Sequence, residues 1–200
     1  MTRILLIRHG HTALLGRVLY GRLPGVYLSE QGIDEIERLA RALPTRYRVT
    51  EIISSPMERA RETAQSIASA LEQEVVFDDG LQEIDFGEWM GSPFENLMTD
   101  EKWKQYNRYR SLTGAPEGEF MLEVQVRAWK AVQRAILRHK DETEPTIAIV
   151  SHGDVIRGLL MLFLGMPLDH IHRIEVSTGS VSEVVLRNSF PQVIAMNQTF

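Results

Sequence analysis

Two stretches of this chain lead from an apolar run into the same pair of residues, a histidine followed by a glycine. Ile4-Leu5-Leu6-Ile7 runs into Arg8-His9-Gly10, and Thr146-Ile147-Ala148-Ile149-Val150 runs through Ser151 into His152-Gly153. A third run, Glu51-Ile52-Ile53-Ser54, is followed by Ser55-Pro56 and then by Arg59. Short continuous apolar runs rich in β-formers are the pattern of strands buried on both faces. In open α/β sheets, ligands lie beyond the carboxyl ends of such strands, where helix N-termini also gather. Three strand ends would therefore bring two histidines and two arginines to one place. A glycine after each histidine lets the backbone approach a ligand closely. Guanidinium forks match phosphoryl oxygens in pairs, and helix N-termini add N–H groups and positive potential, so the natural occupant is a phosphoryl group. An arginine in a first helical turn, where Arg59 stands, is otherwise an electrostatic liability; an anion beside it removes the conflict.

A neutral imidazole in such a pocket can attack phosphorus and split the transfer into two easier steps. The transition state mainly needs positioning and charge stabilisation. A leaving alkoxide also needs a proton. Glu83, in Leu81-Gln82-Glu83-Ile84-Asp85-Phe86-Gly87-Glu88-Trp89, is the best-placed carboxyl, with Asp85 and Glu88 as nearby alternatives. A donor working near neutral pH requires a raised pKa, which an aromatic surrounding supplies.

The elements that must hold these groups can be read at low resolution. Strands are predicted over 4–7, 51–54 and 146–150, with a weaker one over 75–77. Ser29 is placed to cap a helix reaching Leu43, with Ile33, Ile36, Ala40 and Leu43 on its buried face. Ser55 as cap, Pro56 at the first position and Glu58 as the reciprocal acid predict a capping box opening a helix to Leu71. Residues 78–118 mix Gly, Pro and aromatics and read as loops with short helices. Helical spacing returns over 120–140. Asp154 is expected to cap a helix over 155–164, ended by Gly165 and Pro167. Two β-rich runs, 173–177 and 181–187, close the chain. Strands alternating with helices imply an α/β sandwich.

Bulk properties narrow the partners. The chain has 200 residues, 44% of them hydrophobic, enough for one well-buried core and one domain over 1–200. A net charge of −5 offers no global attraction for nucleic acid or an anionic membrane, so any anion pocket must be local. Cysteine is absent, which excludes disulfides and Cys-based zinc sites and fits a reducing compartment. The opening residues carry too short an apolar run for a signal peptide, and the apolar stretch 155–164 is about half a membrane span. The expectation is a cytoplasmic protein, monomer or homodimer, whose partner is a small phosphorylated substrate.

The motifs and their order resemble the histidine phosphatase superfamily, the phosphoglycerate mutase-like proteins, over nearly the whole chain. Arg8-His9-Gly10 is similar to the family signature. Ser54-Ser55-Pro56 with Arg59-Ala60 and Glu62-Thr63-Ala64 resembles the second motif, Leu81-x-Glu83 with Phe86-Gly87-x-Trp89 and Gly91 the third, and Ser151-His152-Gly153 the fourth. The resemblance implies a three-layer α/β/α sandwich with a mostly parallel central sheet. It further implies His9 as the phosphorylated nucleophile, Arg8, Arg59 and His152 as the phosphate pocket, Glu83 as proton donor, and neither metal nor organic cofactor.

The sequence departs from the family pattern in three places. His11 stands where the family has glutamate or glutamine, Leu15 where an asparagine is frequent, and Phe120 where relatives often have serine. His11, Thr12 or Arg22 are the candidates for the missing phosphate contact. His9 is expected on an exposed turn. Arg157 reads as helix packing, and His170-x-His172 as surface rather than metal ligands. Phe86, Trp89, Phe94, Trp103, Tyr106 and Tyr109 read as core or lid, some of them walling the substrate.

The leading expectation is a phosphomonoesterase. A mutase in this family would carry a basic, proline-rich insertion after the proton-donor motif. The segment 91–115 is short and holds Lys102, Lys104, Arg108 and Arg110 without a proline cluster. The other alternative is a phosphate-binding protein without turnover. No Gly-x-Ser-x-Gly elbow and no P-loop occur.

Overall fold

The computed structural model describes residues 1–188 and 190–200. Six strands form one sheet: β1 (Thr2–Arg8), β2 (Glu51–Ser54), β3 (Val75–Phe77), β4 (Thr146–Ser151), β5 (Val181–Arg187) and β6 (Phe190–Gln198), in the order β3-β2-β4-β1-β5-β6. The pairs β2–β3, β2–β4 and β1–β4 are parallel; β5 runs antiparallel to β1 and to β6. The sheet is mostly parallel, as expected.

Alternation along β1 explains the layers. Ile4 and Leu6 join one buried cluster with residues of α5 (Met121–Arg138) and α6 (Gly153–Leu164). Leu5 and Ile7 join the other, with α1 (Glu30–Arg46) and α2 (Glu58–Leu71). Successive strand side chains point to opposite faces, so a strand that is apolar at every position must be covered on both. All four of these side chains are at most 1% exposed. Between β3 and α5 lie two short helices, α3 (Phe94–Leu97) and α4 (Glu101–Arg108), over the end of the sheet where β1 and β4 finish. No helix among the described residues is long and apolar enough to cross a membrane.

Several local expectations need correction. Ser29 does cap α1, accepting from the Gly32 N–H, but Ile33 is 48% exposed, and the buried face is Ile36, Leu39, Ala40 and Leu43. The Ser55–Glu58 capping box does not form. Met57 is the cap residue of α2, while Glu58 turns outward and accepts from the Gly25 N–H at 2.9 Å. Residues 173–177 are not a strand; the last strand is β6, which the sequence reading missed. Phe120 caps α5 without any side-chain acceptor, and Glu123 supplies the reciprocal half of the motif by accepting the Phe120 N–H at 2.8 Å.

Candidate active site

Register brings the two histidines together. In the parallel β1–β4 pair, Arg8 lies opposite Ser151, and the His9 N–H donates to the Ser151 carbonyl at 3.0 Å. The next residue of each strand is then His9 on one and His152 on the other, and their rings stand 5.2 Å apart, edge to face. On the far side of β4, Ser54 pairs with Val150, which carries Ser55 to within 2.8 Å of His152 Nε2.

The turn after β1 is pressed against α1. A Cβ on Gly10 would lie 2.7 Å from the Gly32 carbonyl oxygen, and one on Gly32 would lie 2.1 Å from that of His11. Neither position tolerates a side chain, and this contact fixes where His9 leaves the strand. His9 is buried, 1% exposed, not on an exposed turn as expected.

His9 Nδ1 is 2.7 Å from the Gly10 carbonyl oxygen, which can only accept, so Nδ1 carries the proton. Nε2 is left with a lone pair, and it accepts from Arg59 Nε at 3.2 Å. Burial, then the Arg59 and Arg8 charges, push the His9 pKa well below its ordinary value and keep the ring neutral. His152 is likewise held neutral, by burial first and then by Arg59.

Arg59 is wholly buried in the first turn of α2. Its Nη2 donates to the Gly21 carbonyl at 2.8 Å, and its guanidinium lies 4.7 Å from the centre of the Tyr20 ring. Its Nη1 has no partner among the described residues, nor have Arg8 Nε and His152 Nδ1. Arg8 itself is anchored through Nη1 to the Val176 carbonyl. Buried polar atoms are normally satisfied, so the unpaired guanidinium donors of Arg8 and Arg59, gathered around one histidine, mark a place for an anion's oxygens.

Glu83 lines the same cavity as Arg8 and His9. Arg22 Nε and Arg127 Nη2 grip its backbone carbonyl at 2.7 and 3.1 Å. Burial, then the neighbouring Asp154 charge, raise its pKa, as a proton donor requires. Arg22 is therefore corrected from phosphate contact to brace: it also binds Glu119 at 2.8 Å and does not line the cavity. Thr12 is fully buried with Oγ1 unpaired among the described residues. His11 turns away, its Nδ1 2.7 Å from Ser29 Oγ.

Sequence patterns did not find the charged cluster that adjoins Glu83 in the cavity wall. Asp154, expected as a helix cap, instead binds Arg110 at 2.9 Å and Arg157 at 3.2 Å. Burial alone would raise its pKa, but these two arginines hold it down at about 2. The cap of α6 is His152. Arg157 reaches the cavity wall rather than serving packing alone. The one available signal was an acid directly after His152-Gly153. Its partner Arg110 lies 44 residues away and could not be paired with it from sequence. No three metal-ligating side chains converge among the described residues; His172 Nε2 meets Asn107 Oδ1 at 3.0 Å.

A mostly parallel α/β sheet with paired histidines and arginines at its carboxyl edge defines the class of the protein. The chain belongs to the histidine phosphatase superfamily, branch 1, whose model matches residues 4–199. It is 33% identical over 183 residues to a bifunctional protein of Mycobacterium tuberculosis, a match covering 90% of this chain and 49% of that protein. The chain thus spans about half the length of the first curated relatives it matches. It is 30% identical over 192 residues to a protein of Proteus mirabilis named probable phosphoglycerate mutase, covering 94% and 87% of the two. Among solved structures it resembles phosphoserine phosphatase from Entamoeba histolytica bound to 3-phosphoglyceric acid. That match has a TM-score of 0.81 and 30% identity over 100% of this chain and 98% of that one.

Proposed function

We propose that the protein is a phosphomonoesterase working through a phosphohistidine, with a small phosphorylated metabolite as substrate. The observation that carries this reading is the unprotonated His9 Nε2 facing the Arg59 guanidinium. Nε2 attacks phosphorus while the bond from phosphorus to the leaving oxygen breaks. Glu83 gives its proton to that oxygen, and an alcohol departs. Water then attacks the phosphohistidine, Glu83 takes a proton from it, and phosphate leaves with His9 restored. Arg8, Arg59 and His152 surround the phosphoryl oxygens and stabilise their charge, which grows most valuable in the transition state. No metal is needed for any of these steps.

The mutase reading uses the same intermediate but returns the phosphoryl group to a second acid, as the name of the Proteus relative suggests. The short segment after Glu83, which holds no proline cluster, favours water as the acceptor.

Hydrolysis of p-nitrophenyl phosphate by wild type and by His9→Asn, without added metal and alongside a 3-phosphoglycerate mutase assay, tests the reading. Nitrophenol release by wild type alone is expected. Equal release by the variant would overturn the phosphohistidine, and efficient mutase turnover would replace phosphatase with mutase.

A further inference from the structure

The active-site cavity is larger than a phosphoryl group requires. It encloses about 320 Å³, and its lining includes Arg8, His9 and Glu83. Part of its wall is apolar, formed by Leu15, Val18, Leu19, Phe86, Phe94 and Trp103, with Tyr20 also lining the cavity. The apolar side chains have no hydrogen-bonding atom to offer a substrate except the indole N–H of Trp103. A polyol or amino acid placed against them would leave its own polar groups unpaired, an unfavourable exchange for water.

Next to Arg8 and Glu83 lies a charged cluster whose groups are largely bonded to one another. Arg110 is 3% exposed; its Nη1 donates to Asp154 and to the Tyr106 hydroxyl, and its Nη2 to Asn107. Arg157 gives Nε to the Ile174 carbonyl and Nη1 to Asp154. Asp154 takes Nη1 of both arginines and offsets one of their two charges. Asn107 and His172 are bonded to each other.

We propose that the substrate is a phosphomonoester of an apolar alcohol, an aryl or arylalkyl group seated on this wall, and that Leu15 is a specificity-determining residue for it. The proposal rests on the phosphatase reading above and adds the chemical class of the leaving group. Leu15 is half-buried on the short turn after Thr12, its N–H bonded to the Thr12 carbonyl at 3.1 Å. Its side chain can therefore be exchanged for a polar one of similar size without breaking an element. Phe94, Trp103, Asn107 and His172 also line an adjoining groove that continues to Met98, so a group longer than phenyl has a way out.

The test compares kcat/KM for 2-phenylethyl phosphate, 3-phosphoglycerate and O-phosphoserine, in wild type and Leu15→Asn. All three release an alkyl alcohol, so differences report the pocket more than the leaving group's acidity. The wild type is expected to prefer the phenylethyl ester by about tenfold or more, and Leu15→Asn to shrink that preference by roughly tenfold. Equal or better turnover of 3-phosphoglycerate or O-phosphoserine by wild type would overturn the apolar class while leaving the phosphatase intact. A preference unmoved by Leu15→Asn would overturn the role of Leu15. Failure to hydrolyse any of the three esters or p-nitrophenyl phosphate would overturn both readings.

Discussion

Arg59 Nε donates to His9 Nε2 across 3.2 Å, although the two residues are 50 positions apart in the chain. The contact has two consequences. It requires the attacking nitrogen to be unprotonated, and it sets a guanidinium where the charge of a transferring phosphoryl group would develop. The same contact is lost when phosphorus bonds to Nε2, and Arg59 is then free to bind an oxygen.

Arg59→Met should lower kcat/KM for p-nitrophenyl phosphate by about 10²–10³, the usual loss for a preorganised donor to a developing anion. It should also move the acidic limb of the pH–rate profile. After burial, the Arg59 charge is the largest influence depressing the His9 pKa. Its removal raises that pKa, so activity is lost at a higher pH on acidification. A limb that stays in place would disconnect Arg59 from the nucleophile.

Glu83→Gln separates proton donation from binding. On 2-phenylethyl phosphate, whose alkoxide needs a proton, turnover should fall by about 10²–10⁴. On p-nitrophenyl phosphate, whose leaving group departs as a stable anion, the fall should be much smaller. Equal losses on both esters would move the donor role to Asp85 or Glu88.

The buried histidines make the fold acid-sensitive. His9 and His152 both have pKa values depressed below the unfolded value of about 6.5. The unfolded chain therefore binds more protons in this range. Stability is fully present above pH ~6.5 and declines as pH falls below it, by up to about 1.4 kcal/mol per pH unit for each histidine. Urea unfolding of wild type and His9→Asn between pH 7 and 5 measures this. The variant's slope should be shallower by about one proton, and identical slopes would argue that His9 is not held neutral by the fold.

Asp154 neutralises buried Arg110 as well as tuning Glu83. Asp154→Ala leaves that guanidinium buried with only neutral partners and should cost about 3–5 kcal/mol of stability. Asp154→Asn keeps one acceptor and should cost less. Denaturant midpoints distinguish the two, and an Asp154→Ala variant as stable as wild type would mean that Arg110 finds water instead.

Much of this was legible in the chain itself. A strand apolar at every position, such as Ile4 to Ile7, can only be buried on both faces, and that dictates layers of helix above and below. Each of three buried apolar runs ends in a short polar turn, so Arg8, His9 and His152 could be assigned to strand ends, and Arg59 to the helix start after one, from local pattern alone. The resemblance to the superfamily rested on the same local motifs and was upheld over residues 4–199.

Other features had no local signal. That Arg8 pairs with Ser151, and so His9 with His152, is a matter of register between strands more than a hundred residues apart. The protonated nitrogen of His9 depends on a backbone carbonyl meeting one side of the ring and Arg59 the other. The work of Arg22, expected at the phosphate and found bracing the Glu83 carbonyl, depends on where Glu119 sits. Asp154 looked like a helix cap because aspartate is a favoured cap residue and stands just before the apolar run 155–164; only tertiary packing brings Arg110 close enough to claim it. Local sequence determines which residues leave the ends of strands, because backbone preference and hydrophobic period act over a few residues. Protonation, pairing and pocket character were decided by the tertiary structure, because they arise from desolvation and from charges that reach across the fold.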